Sequence, residues 1–149
     1  MFPNSLGSEN LAVLATLSPV SQAAATVTSG WVDARKFVMI SALIATGVLG
    51  ASATLDAKLQ QATDSGGTGA KDITSKALTQ IVKASGDDKQ AIINCRPEDL
   101  DVDNGFCFVR LSVTVGTAAS LIFAAVLGLY PRQGTASDSN QAGVVQLIA

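Results

Sequence analysis

The sequence predicts an all-β protein: an antiparallel β-sandwich, jelly-roll-like or related, with extended N- and C-terminal arms and at most one short helix. Three observations predict it. Apolar and polar residues alternate with period two through Ser52–Ala62 and again through Phe106–Val115, which sets one side-chain face inward and the other outward. Glycine-rich and acidic turn signals separate short strands every ten residues or so. Two apolar runs, Phe37–Ala51 and Ala118–Tyr130, carry glycines and β-branched residues, which suit buried strands better than helices.

The elements follow in order. With 149 residues the chain has the length of one domain. Met1–Ala25, rich in Ser, Ala, Asn and Pro, reads as an N-terminal arm with an apolar patch at Leu11–Leu17. The sandwich is expected over 26–132. In Ser52–Ala62, Ala53, Leu55, Ala57 and Leu59 face the core, while Thr54, Asp56, Lys58 and Gln60 face out. TDSGGTGAKD (Thr63–Asp72) is a loop whose glycines supply positive φ. Ile73–Lys83 resumes the pattern, SGDDK (Ser85–Lys89) turns, and Gln90–Arg96 ends at Pro97, which has no amide hydrogen for a ladder. Helix competes at Ala57–Gln61 and Ile73–Ile81, where Ala, Leu, Lys and Gln are good helix formers. After the turn at Leu100–Phe106 come Cys107, Val109, Leu111, Val113 and Val115 on one face, then a last core strand over Leu121–Tyr130. Residues 133–149 form a flexible linker, QGTASDSNQ, and an apolar C-terminal arm, GVVQLIA.

Composition narrows the function. Charged residues are only 15% of the chain, against about 25% in an average soluble domain, so much of the surface is neutral and is expected to be covered by partners. The ten basic residues are scattered, with only Arg35 and Lys36 adjacent, and aromatics are few; nucleic-acid binding is not expected. Both apolar runs are shorter than the ~20 residues a spanning helix needs, so no membrane association is expected. The chain contains no histidine, which removes the commonest general base and metal ligand together. The N-terminal residues lack the basic and apolar regions of a signal peptide, so Cys95 and Cys107 are expected as buried free thiols.

No catalytic, metal or cofactor site emerges. The acidic residues cluster in turns, where solvated caps explain them. DVDNG (Asp101–Gly105) begins like a calcium loop, but its twelfth position is Ser112 rather than glutamate. SGGTG (Ser65–Gly69) lacks the Gly-Lys-Ser/Thr of a phosphate loop. The candidate interface residues are Trp31, the only tryptophan, with Leu11, Val13 and Leu14 of the N-terminal arm and Val144, Val145, Leu147 and Ile148 of the C-terminal arm.

The segments GWVDARKF, GASATLDAKLQQATDSGGTGAKDI, QIVKASGDDKQAIIN and LDVDNGFCFVRLSVTVGTAAS occur in an order that resembles small virion structural proteins of tailed bacteriophages, the capsid decoration or cement proteins among them. The resemblance covers about Val27–Arg132. It implies a β-rich, cofactor-free, non-enzymatic protein that binds the major capsid protein and copies of itself as a dimer or trimer. The implied location is the virion capsid, after a stay in the host cytoplasm. Within this frame a head–tail connector or tail subunit is the alternative, and outside it a carbohydrate-binding sandwich for host adhesion.

Overall fold

The computed structural model describes residues 4–148 and contains two antiparallel sheets packed face to face. The ends of the two expected arms, Met1–Pro3 and Ala149, lie outside the described residues. Ten strands form: β1 (Leu11–Gln22), β2 (Ala25–Thr28), β3 (Val32–Asp33), β4 (Phe37–Thr46), β5 (Thr54–Ala62), β6 (Lys71–Ala77), β7 (Ile81–Val82), β8 (Gln90–Cys95), β9 (Phe108–Gly116) and β10 (Ser120–Pro131). Sheet A has the order β1-β10-β4-β8 and sheet B the order β2-β9-β5-β6. The two-residue strands β3 and β7 pair with β9 and β5. Helix is confined to single turns, Gly7–Asn10 and Lys83–Gly86, against at most one expected, and to 3-10 turns. Both segments where helix competes in the sequence lie in sheet B or its connections.

The period-two reading of β5 and β9 holds through most of both strands and breaks at Gln61, a buried polar residue, and at Ala62 and Ser112, which are also buried. Ala53, Leu55, Ala57 and Leu59 are buried, as are Val109, Leu111, Val113 and Val115, the register setting Leu55 opposite Val115, Ala57 opposite Val113 and Leu59 opposite Leu111. Sheet A supplies the other half of the core through Ile40, Ala42 and Ile44 of β4 and Ile122, Ala124 and Val126 of β10. Gly128 also faces inward, and a Cβ there would stand 2.7 Å from the Phe37 ring, so the close approach requires glycine.

The ends depart from expectation. Leu11–Gln22 is no free arm: β1 pairs along β10 from Leu11↔Leu129 to Gln22↔Ser120, and Ala12 and Ala15 enter the core. Its Ser- and Pro-containing sequence obscures the alternation because the register shifts twice, between Val13 and Ala15 and between Leu17 and Val20; Pro19 sits at the second shift, on an edge. The expected flexible linker is instead an ordered strap. Ala136 is fully buried in the core, the Val13 amide donates to Asn140 Oδ1 (3.0 Å), and the Gln141 amide donates to the Val13 carbonyl (2.9 Å). Polar composition suggested a linker, but here a side-chain amide and a backbone amide satisfy the outward edge of β1. Beyond the strap, Val144–Ile148 forms no strand, and Val145 and Ile148 are 99% and 83% exposed.

Candidate interaction surface

The strand alternation that builds the core also fixes what each sheet shows outward. On sheet B the outward residues are polar and bond to one another. Arg110 Nε donates to Gln60 Oε1 (2.9 Å), Gln60 Nε2 to Asp72 Oδ1 (2.8 Å), and Lys58 Nζ pairs with Asp72 Oδ2 (2.7 Å). Thr26 and Thr114 share a hydroxyl bond of 2.7 Å, and Gln80 Nε2 donates to Asp56 Oδ2 (2.9 Å). Hydrogen bonds from Lys58 and Gln60 hold the Asp72 carboxyl below the usual carboxylate range.

At one end of sheet B, aromatic rings are each capped by a cation. Arg110 lies over Trp31 (4.6 Å to the ring centre), Lys71 over Phe106 (4.2 Å) and Arg35 over Phe108 (5.8 Å). The glycine-rich loop closes on the same tryptophan. Asp64 Oδ1 accepts from the Gly66 and Thr68 amides, and Gly67, at φ +86°, leaves room where a Cβ would meet Trp31 Nε1 at 2.5 Å. The loop is thus a packing device for Trp31. The neighbouring acidic turn is equally occupied: Asp101 Oδ2 pairs with Lys71 Nζ (2.5 Å) and Oδ1 accepts from Asn104 Nδ2 (2.8 Å), with Gly105 at φ +80°.

Sheet A shows the opposite surface. Thr16, Ala125, Leu43 and Ile92 form one outward row across its four strands, and Val13, Leu127, Ser41 and Asn94 form the next. Leu11, Leu129 and Met39 continue on one side, and Phe123 and Ala45 on the other. Leu121 is 46% and Ile92 60% exposed. This outward face contains no charged side chain in those rows. A solvated face of an antiparallel sheet ordinarily alternates with polar residues; strands apolar on both faces are ones covered on both.

The predicted interface residues therefore separate. Leu11 and Val13 lie on the outward face of sheet A, as their pairing with Leu129 and Leu127 requires. Leu14 turns inward against the core and shares a shallow cleft with Trp31, Lys36, Asp138 and Ser139. Val144 is half-buried, whereas Val145, Leu147 and Ile148 are exposed. The arms do not contain Met39, Leu43, Phe123, Leu127 and Leu129, whose signal is the absence of alternation in FVMISALIAT and SLIFAAVLGLY, nor Ile92, which stands beside Ile93 in QAIINC. Both cysteines are free. Cys95 is buried, which pushes its thiol up to about 12, but Cys107 is half-buried rather than buried, at the mouth of the loop before β9. Among the described residues no cluster of three or more metal-ligating side chains occurs, and no helix is long and apolar enough to cross a membrane.

No family model and no curated protein matches the sequence. Among solved structures, a chain described as CBM4 aligns at 13% identity and TM-score 0.42, over 68% of this chain and 60% of that one. A chain of Broad Bean Stain Virus aligns at 14% and 0.41, over 76% and 63%. The C-terminal family 22 carbohydrate binding module of a Clostridium thermocellum protein aligns at 16% and 0.38, over 87% and 90%. The chain thus spans less than two thirds of the first two. Likeness at this level says nothing about ligands or partners.

Proposed function

We propose that this chain is a non-enzymatic structural protein of a tailed-phage virion, a capsid decoration (cement) protein that binds the major capsid shell through the outward face of sheet A and also associates with its own copies. The observation that carries the reading is that face: its rows are uncharged and mostly apolar, as in a sheet covered on both sides, and among the described residues no second sheet covers it. The histidine-free composition and the hydrogen-bonded polar network on sheet B agree with a protein that buries rather than reacts. A decoration protein acts by linkage: it binds the assembled shell in preference to free subunits, and each bound copy stabilises that state.

A head–tail connector or tail subunit would use the same face in a ring of few copies. A carbohydrate-binding role would use sheet B, where sugar platforms need open aromatic faces; Arg110, Lys71 and Arg35 lie over three of those rings. Counting copies per particle by quantitative mass spectrometry of purified virions tests the proposal. Copies in the hundreds are expected. A dozen would assign the chain to a connector or tail ring, and absence from the virion would end the reading.

A further inference from the structure

Sheet A has two edges, and they are unlike. The β1 edge carries Pro19, two register shifts and the strap at Val13. The β8 edge carries nothing of the kind: Gln90–Cys95 (QAIINC) contains no charged residue, proline or glycine. Among the described residues no backbone hydrogen bond joins it to any strand but β4. Sheet B's edges are guarded by other means. β2 is four residues long, and β6 carries Lys71, Asp72, Lys76 and a left-handed Ser75 at φ +61°. Natural sheets suppress pairing with such devices, and β8 is the edge that lacks them.

The same chain holds a segment with strand chemistry and no strand. Val144–Ile148 (VVQLI) is uncharged and β-prone, exposed from Val145 onward, and it leaves the fold from the strap on the β1 side. Its own β8 is out of reach. From Gln141 past β1, β10, β4 and β8 to an added strand is five inter-strand spacings of about 4.8 Å, roughly 24 Å. The three residues from Gln141 to Val144 span at most about 11 Å.

We infer that Val144–Ile148 of one copy adds as a strand to the β8 edge of another copy. The inference rests on the structural-subunit reading and specifies how copies join. Backbone hydrogen bonds supply the affinity, and alternate tail side chains extend the apolar row that ends at Ile92. Donor and acceptor lie on opposite edges of one sheet, so the contact is head-to-tail and closes into a ring when the rotation between copies divides the circle.

The test mixes two full-length variants in sedimentation velocity. Val145→Asp with Ile148→Asp charges the tail at its two most exposed large apolar residues, and Ile92→Lys charges the edge; Asn94→Lys is a second edge variant should the first fold poorly by circular dichroism. Wild type is expected to assemble with rising concentration. Each variant alone should need at least tenfold more protein to do so. An equimolar mixture should form a one-to-one complex, because one partner retains a tail and the other an edge. A monomeric wild type at its highest soluble concentration, variants that assemble like wild type, or a mixture no more associated than its components overturns the inference. Retained binding of the tail variant to shells, its outward sheet A face being unaltered, then leaves the decoration reading standing. Loss of shell binding on charging the sheet A face, with the tail intact, speaks to that reading alone.

Discussion

Sheet A and sheet B contribute nearly equal halves of one core and present opposite surfaces outward. Sheet B ends in a polar network, Arg110–Gln60–Asp72–Lys58, in which each group bonds to its neighbour. Sheet A ends in rows without a charged side chain, in which aliphatic residues outnumber the polar Thr16, Ser41 and Asn94. The same β alternation produces both, so the difference lies wholly in the second residue of each pair. Where that residue is polar the sheet is finished as a monomer. Where it is apolar the sheet keeps a face that the proposed interface would cover. Exposed ion pairs such as Lys58–Asp72 contribute little to stability, so sheet B's outward face adds solubility and order more than free energy.

The sharpest way to break this comparison is to charge both outward faces in parallel. Leu43→Asp with Leu127→Asp on sheet A should weaken shell binding about a hundredfold, near 2.7 kcal/mol, while the monomer's melting temperature changes little. Thr114→Asp with Lys58→Ala on sheet B should leave binding within about twofold. Inward, Leu111→Ala should cost about 2–5 kcal/mol in chemical denaturation, since it opens a cavity in a fully buried site. Equal binding by the two outward variants would show that sheet A's face is not the interface.

A smaller effect tests whether the sheet B end is a packing device. Gly67→Ala forces a Cβ against the Trp31 indole in a left-handed backbone conformation, and should destabilise by about 1–3 kcal/mol, read by urea denaturation with tryptophan fluorescence. A neutral result would mean that the loop and Trp31 move independently.

The smallest effects separate the sheets by pH. The carboxyls of Asp33, Asp72 and Asp101, held low chiefly by side-chain bonds from Arg35, Lys58 and Lys71 respectively, belong to sheet B and its loops. Native carboxylates below the unfolded value of about 3.9 mean stability that is present above that pH and lost as pH falls through their lower native values. On the alkaline side the reporter is Cys95 of sheet A. Burial raises its thiol from 9.0 to about 12, so between those values the native state keeps a proton that the unfolded chain has lost, and stability falls as pH rises. Melting curves should show Cys95→Ala losing less stability than wild type from about pH 8 to about pH 11, with the acid limb unchanged. Identical alkaline limbs would remove Cys95 from the account.

Much of this was legible in the residues alone. Period two is a local property, so Leu55, Ala57, Leu59, Val109, Leu111 and Val113 declare their faces without reference to any partner strand. So does the double-sided apolarity of β10, which already marks a strand needing cover on both faces. Tertiary structure alone decided which segments become edges and what closes them. Leu11–Gln22 reads as an arm because Pro19 and two register shifts break its alternation, and only the ladder to β10 makes it a strand. Gln133–Gln141 reads as a linker because it is polar, and only the backbone groups of Val13, waiting at a sheet edge, give those polar atoms partners. Trp31 and Gly67, thirty-six positions apart, meet only because β3 pairs with β9 and the glycine-rich loop follows β5 on the same sheet. Alternation needs two neighbouring residues; an edge, a strap or a stacked ring needs the whole chain folded, because its energy comes from contacts made across long sequence separations.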